Sequence, residues 1–190
     1  MKTQYYTASS LDGFIAGPGD SLDWLFALGD PEESSYPDFI SDIGAIAMGS
    51  ATYEWVLRHT LQASEYAPWP YSQPTWVFSS RARSAAPGAD VRFAEGDVRA
   101  AHAEMAAAAR GKNLWLAGGG DLVGQFYDGG LLDEIIVQIG SATLGAGKPF
   151  LPRSITGGAL YLTSVRQLGG EFVELRYDVR YDRTRPGTRP

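Results

Sequence analysis

The stretch Asn113 to Phe126, NLWLAGGGDLVGQF, constrains the fold of this chain more than any other. Leu114 to Ala117 has the length and apolar character of a buried strand, and three glycines follow it directly. Asp121 then stands where a helix N-cap belongs, with Leu122, Val123 and Phe126 spaced for one apolar helical face. Strand, glycine turn and helix start together make a place for an anion. Bare backbone can approach a phosphate while the first N–H groups of the helix point at it. The spacing departs from the dinucleotide fingerprint, because Val123 stands where the third glycine belongs, and no Walker-type lysine follows. Taken alone, the triplet also reads as a turn without a ligand.

The bounds on function come from what the chain lacks. A length of 190 residues suffices for one well-buried domain, and a net charge of −6 argues against a general nucleic-acid surface. There is no cysteine, so disulfides and thiolate metal sites are excluded. His59 and His102 are the only imidazoles, so neither a metal cluster nor a triad hydrolase is expected. The N-terminus lacks a signal-type apolar stretch, and no apolar run reaches about 18 residues. A cytoplasmic protein without membrane or nucleic-acid partners is the expectation.

Strand and helix signals alternate along most of the chain. Strands are predicted at Lys2 to Ser9, Ala45 to Met48, Thr75 to Ser79, Val91 to Ala94, Leu114 to Ala117 and Ile135 to Ile139. The glycine-rich segment Ser10 to Asp20 is too long for a simple turn and reads as a binding loop. Ser21 to Leu28 reads as a short helix. Asp30 and Pro31 mark another helix start, and Phe39, Ile40 and Ile43 share a face after Pro37. A helix opens at Gly49, and Asp97 caps one that runs to Arg110. Leu160 to Gln167 and Phe172 to Tyr181 form a hairpin turned at Gly169-Gly170. This pattern predicts one α/β domain over residues 1–181. Helices are expected on both faces of a central mixed, mostly parallel sheet of at least six strands, closed by the C-terminal antiparallel hairpin. Residues 182–190, with no apolar face, are expected to be a tail. The hairpin's Tyr161, Tyr177 and Tyr181 on an exposed edge point to a homodimer.

Four segments in fixed order resemble the dihydrofolate reductase fold, most of all its branch containing the reductase domain of riboflavin biosynthesis. They are SLDGFIA at Ser10–Ala16, AMGSATYE at Ala47–Glu54, AGGGDL at Ala117–Leu122 and, more weakly, IGSATLGAGKPF at Ile139–Phe150. The resemblance covers about residues 1–181. It implies a three-layer α/β/α fold and NADPH as cofactor, lying across the sheet. The substrate implied is a pterin-like or aminopyrimidine heterocycle, with a 5-amino-6-(5-phosphoribosylamino)uracil reductase as the nearest activity. Dihydrofolate reduction, or nucleotide binding without catalysis, are the alternatives.

The residues implied around the cofactor fall into three groups. Ala8 and Ile15 flank the first loop. Gly49, Ser50, Ala51 and Thr52 open the second strand-to-helix junction, with Ser79, Ser80 and Arg81 following the third strand. Gly118, Gly119, Gly120, Asp121 and Leu122 wrap the pyrophosphate and nicotinamide side, with a cis peptide between Gly118 and Gly119. Two glycine-led helix starts after strands suit a dinucleotide in their own right. A side chain at Gly119 is expected to collide with the cofactor and to conflict with positive φ.

Charge placement is less regular. Relatives often carry a base for the 2′-phosphate where this chain has Ser50; Arg81 or Arg83 can take that duty. Hydride transfer to a C=N group calls for a proton, so Glu33 and Asp38, with Asp23 nearby, are candidate acids, unless a water serves. Gln138 on the sixth strand is a candidate substrate contact. Asp12 is expected to shape its own loop through an Asx turn. Lys148 and Arg153 flank PFLP and can receive a substrate phosphate. No metal site is expected.

Overall fold

The computed structural model describes residues 1–29, 34–63, 68–81 and 84–181. The helix start expected at Asp30 and the tail expected at 182–190 lie outside the described residues. The elements in order are β1 (Thr3–Ser10), β2 (Phe14–Ala16), α1 (Asp23–Leu28), α2 (Tyr36–Ser41), β3 (Ile43–Gly49) and α3 (Ser50–Ala63). There follow β4 (Thr75–Phe78), β5 (Val91–Ala94), α4 (Val98–Ala108), β6 (Asn113–Gly118) and α5 (Gly120–Asp128). The chain then forms β7 (Glu134–Gly140), β8 (Lys148–Pro149), β9 (Leu160–Leu168) and β10 (Phe172–Val179).

Eight strands make one sheet in the order β5-β4-β3-β6-β1-β7-β10-β9. Pairings from β5 through to β7 are parallel, and β10 joins β7 and β9 antiparallel. The expected mixed sheet with an antiparallel end is therefore present. The segment expected to be wholly loop, Ser10 to Asp20, instead contains β2, which pairs with β8 in a separate ribbon.

Parallel strands covered on both faces must be apolar throughout rather than alternating. In β3 the consecutive residues Ala45, Ile46, Ala47 and Met48 are all fully buried. Their alternate directions build two cores. Tyr5, Ala47, Leu116 and Ile135 face α4 and α5, which contribute Met105, Val123 and Phe126. Tyr6, Ile46, Met48 and Trp115 face the other way, toward Phe39 of α2 and Tyr53 of α3. Asp97 caps α4 as predicted, accepting from the Arg99 amide at 2.9 Å.

The hairpin turns at Gly169-Gly170 as expected, with Gly169 at φ +63, but the placement of its tyrosines needs refinement. Of the three tyrosines expected at an outer edge, Tyr181 is turned inward: its hydroxyl donates to the Leu132 carbonyl at 2.9 Å. Tyr177 packs against the core on the α4–α5 face. The exposed apolar side chains belong to β9, the edge strand: Tyr161, Leu162 and Val165 are 51%, 47% and 58% exposed.

A polar knot ties the antiparallel end to the rest of the sheet. Glu174 is 1% exposed and accepts hydrogen bonds from Ser35, from Gln138 at 3.2 Å and from Arg176 at 2.9 Å. Gln138 also donates to the Tyr6 hydroxyl at 2.7 Å. Burial pushes the Glu174 carboxyl up, but the donors from Ser35, Gln138 and Arg176 outweigh it and hold it below its ordinary value. A carboxylate with a depressed folded-state pKa contributes stability above its unfolded-state pKa. That contribution is lost as pH falls through the folded-state value. Glu174→Gln is expected to lower stability near neutral pH by about 1–3 kcal/mol and to flatten the acid limb of the stability curve. Urea midpoints at neutral and acid pH measure both; an unchanged acid limb would assign the titration to another group.

Candidate functional site

β3 and β6 are neighbours in the sheet, yet the chain leaves them on opposite faces. β3 runs into α3 on the Tyr6 side, and β6 runs into α5 on the Tyr5 side. A crevice must open between the diverging helix starts, at the carboxyl ends of the strands. It forms a groove of about 590 Å³, within the range of small-molecule sites. One end is formed by Phe78, Ser79 and Ser80 with Ala94, Glu95 and Gly96. The other is formed by Thr7, Ile15, Ala16 and Leu22.

Most of the sequence-predicted cofactor residues meet here. Gly49, Ser50, Ala51 and Thr52 line the middle of the groove from the α3 side. Gly119, Gly120, Asp121 and Leu122 line it from the α5 side, and Ile15, Ser79 and Ser80 line its ends. Gly118 sits behind them, buried at φ +124, and a Cβ there would lie 3.8 Å from the Thr52 hydroxyl. Several residues stand apart. β1 presents Thr7 to the groove, while Ala8 is not among the lining residues. Gln138 is engaged by Tyr6 and Glu174. Arg81 is exposed, and its backbone closes a turn with the Ser79 hydroxyl, which accepts from its N–H at 3.1 Å. Asp38 lies exposed in the first turn of α2 and does not line the groove. Glu33 and Arg83 lie outside the described residues.

The glycine triplet divides its work by position. The peptide between Gly118 and Gly119 is cis. Gly119, rather than Asp121, is the N-cap of α5, with φ −74 and ψ 173. Positive φ thus falls on Gly118 and not, as expected, on Gly119. A Cβ on Gly119 would meet nothing within 4 Å, so only an occupant of the groove could object to it. Gly120 is the crowded one: a Cβ there would fall 2.3 Å from the Phe150 carbonyl oxygen and 2.5 Å from that of Pro149. The fourth sequence motif therefore packs against the third, a contact that spacing alone does not reveal.

Charge around the groove is mostly negative. Asp121, in the first turn of α5, is favoured there by the helix dipole; Arg153 reaches it at 3.3 Å and Asp128 at 2.8 Å. Lys148 lines the groove and pairs with Asp20, which also lines it, at 3.5 Å. Asp12 does more than shape its own turn. It accepts from the Ser10 hydroxyl at 2.6 Å and from the Leu144 and Gly145 amides at 3.0 and 2.7 Å. The Ser10 hydroxyl first, then these amides, hold its carboxyl below the usual range.

Sequence reasoning missed Thr7, Asp20, Leu22, Trp55 and Glu95, all of which line the groove. Trp55 carried a usable signal, since it stands three residues after Thr52 and shares its helical face. It clusters with Phe26 and His59, with ring centroids 6.1 and 4.8 Å away, and those two rings also stack on each other at 5.5 Å. His102 is buried and hydrogen-bonded to Thr3 at 2.9 Å, away from the groove. Among the described residues no group of three or more His, Asp or Glu is placed to hold a metal. No described helix is long and apolar enough to cross a membrane.

The groove suits an elongated anionic ligand: two helix starts face it, hydroxyls stand at Thr52, Ser79 and Ser80, and bare backbone lies at Gly119. Architecture and groove together define a dihydrofolate reductase-like fold. The sequence profile of the RibD C-terminal domain matches residues 2–173, and the chain belongs to that family. It is 31% identical over 176 residues to the uncharacterised protein YwjB of Bacillus subtilis strain 168, covering 93% of this chain and 97% of that protein. A candidate riboflavin biosynthesis protein from Shewanella sp. PV-4 superimposes with a TM-score of 0.79 at 23% identity, covering 95% of this chain and 100% of that one. Dihydrofolate reductase from Enterococcus faecalis, solved in complex with NADP(H) and RAB-propyl, gives a TM-score of 0.60 at 15% identity. That match covers 95% of this chain and 97% of that one.

The crowding at Gly120 has a measurable outcome. Gly120→Ala is expected to destabilise the fold by about 1–3 kcal/mol, the ordinary range for overpacking against backbone, whereas Gly119→Ala is expected to leave stability unchanged. Thermal unfolding of the two variants checks this; equal losses would remove the distinction between the two glycines.

Proposed function

We propose that this protein is a reductase that binds a reduced nicotinamide dinucleotide in the groove and reduces a C=N or C=O group of a pterin-like or aminopyrimidine substrate. The nearest activity is that of a 5-amino-6-(5-phosphoribosylamino)uracil reductase. The observation that carries this reading is the facing pair of helix starts, Gly49–Thr52 and Gly119–Leu122, across one groove. Family membership supports a reductase of the riboflavin-pathway type, and the NADP(H) held by the E. faecalis enzyme supports the cofactor class. NADPH is the form that the family resemblance implies.

When bound, the dinucleotide supplies the hydride. The chain supplies position: backbone amides at the start of α5 and the Thr52 hydroxyl receive the pyrophosphate, and Ile15, Leu22 and Trp55 wall off the reacting end from bulk water. Among the described residues Lys148 is the cation on the groove wall, where an anionic substrate substituent would compete with Asp20 for it; Arg153 is taken by Asp121 and Asp128. We assign the proton for the acceptor nitrogen to water. Of the described carboxylates, Asp38 stands off the groove, Asp20 is held by Lys148, and Asp23 lines the adjoining cavity rather than the groove itself.

The quaternary state belongs to the same proposal. The exposed Tyr161, Leu162 and Val165 on the edge strand β9 suit a homodimer. Light scattering should give twice the 20.5 kDa chain mass; the chain mass alone at micromolar protein would dismiss the dimer.

Gly119→Ala tests the site without disturbing its scaffold. Gly119 lines the groove and a Cβ there meets nothing within 4 Å, so dinucleotide affinity is expected to fall by about tenfold or more with unchanged circular dichroism. Quenching of tryptophan fluorescence, with Trp55 in the groove wall, reports the binding. Loss of reduced-nicotinamide absorbance with aminopyrimidine and dihydropterin substrates reports turnover. Unaltered affinity in the variant would place the dinucleotide elsewhere.

A further inference from the structure

We propose that Glu95 makes this groove selective for NADH over NADPH. The inference rests on the reading that the groove holds a reduced nicotinamide dinucleotide. The two dinucleotides differ only on the adenosine ribose, which carries a 2′-hydroxyl in one and a 2′-phosphate in the other.

The structure distinguishes the two ends of the groove. A nicotinamide ring must lie where a second molecule can meet it. At the Ile15–Leu22 end the groove adjoins a further cavity of about 330 Å³, which shares Asp20, Leu22 and Trp55 with it. That end has room for a substrate. The adenosine ribose therefore falls to the opposite end, where β4 and β5 finish side by side. There the Ser79 amide donates to the Ala94 carbonyl at 3.0 Å, which brings Glu95 alongside Ser79 and Ser80. Gly96, at φ +84, turns the chain away toward the Asp97 cap of α4. Glu95 is left exposed on the groove wall, and among the described residues it makes no hydrogen bond or ion pair.

A ribose diol and a phosphate ask opposite things of that carboxylate. Hydroxyls donate to it, which is how an acidic residue at a strand end selects the unphosphorylated dinucleotide in doubly wound folds. A phosphate monoester brings close to two negative charges and is repelled. Among the described residues lining this end, no cation offsets the repulsion. Lys148 is the only cation lining the groove among the described residues, and it is paired with Asp20. Ser50 offers a hydroxyl where a base would be needed, and exposed Arg81 does not line the groove.

Calorimetric titration of NADH and NADPH into the native protein, Glu95→Gln, Glu95→Arg and Arg81→Ala tests the assignment. Circular dichroism of each variant checks the fold. Native protein is expected to bind NADH more tightly by about tenfold or more, the scale of one charge contact at an exposed rim. Glu95→Gln should shrink that preference and Glu95→Arg reverse it. Salt near 1 M should narrow the native preference by screening and leave the Glu95→Gln ratio almost unmoved. Native binding of NADPH as tight as NADH, or one ratio shared by native and both Glu95 variants, would overturn the proposal. So would a selective loss of NADPH binding in Arg81→Ala, which would give the 2′ position to the arginine. If the native protein binds neither dinucleotide, the cofactor reading itself falls, and Glu95 with it.

Discussion

The parallel pairing of β3 with β6 sets the position of two helix starts at once. Met48 lies opposite Gly118 in the register, so each strand reaches its end beside the other, and each hands over to a helix on a different face. The groove follows from that divergence, because neither helix can cover the ground between them. Side chains are scarce there for the same reason. Gly49, if given a Cβ, would approach the Gly119 amide at 3.7 Å, so the two turns already touch through backbone alone.

What was legible in the sequence was local. The run from Leu114 to Phe126 announces strand, turn and helix through neighbours in the chain, and Asp97 announces its helix in the same way. The Gly49–Thr52 and Gly119–Leu122 segments could be brought together from motif order, since a strand followed by a glycine-led helix has few places to go. Groups whose roles depend on distant partners were not legible. Gln138 looked like a substrate contact because it is polar on a central strand, but Glu174 and Tyr6 claim its amide from 36 and 132 residues away. Tyr181 looked like an edge residue until Leu132 met its hydroxyl. Asp38 follows the helix-start pattern, and the pattern says nothing about which way the helix faces. Glu95 is the plainest case: it reaches the groove only through the register of β5 on β4, which no motif records.

The electrostatics of the groove divide along its length. The α5 start offers unpaired amides and carries Asp121, whose charge Arg153 partly neutralises from outside. The far wall offers hydroxyls and one open carboxylate. The substrate end holds Lys148 against Asp20, a pair that joins the short ribbon of β2 and β8 to the loop between β2 and α1. An elongated ligand with a negative middle and neutral ends matches this sequence of charges better than one anionic throughout.

Phe150 deserves weight beyond its place under the glycine turn. Its carbonyl takes the Tyr5 hydroxyl at 2.9 Å, its amide donates to Gly13 at 2.9 Å, and its ring stacks on Tyr5 at 5.0 Å. Through the same carbonyl it presses on Gly120. The first loop, the central strand and the α5 start thus share one clasp, although Tyr5 and Phe150 stand 145 residues apart in the chain. A clasp of this kind restricts how the family can diverge. Loop lengths can drift freely around Gly157 and Gly158, where backbone faces open space. At Pro149–Phe150, by contrast, a single inserted residue would unseat three segments together, so drift there must arrive as coordinated change or not at all.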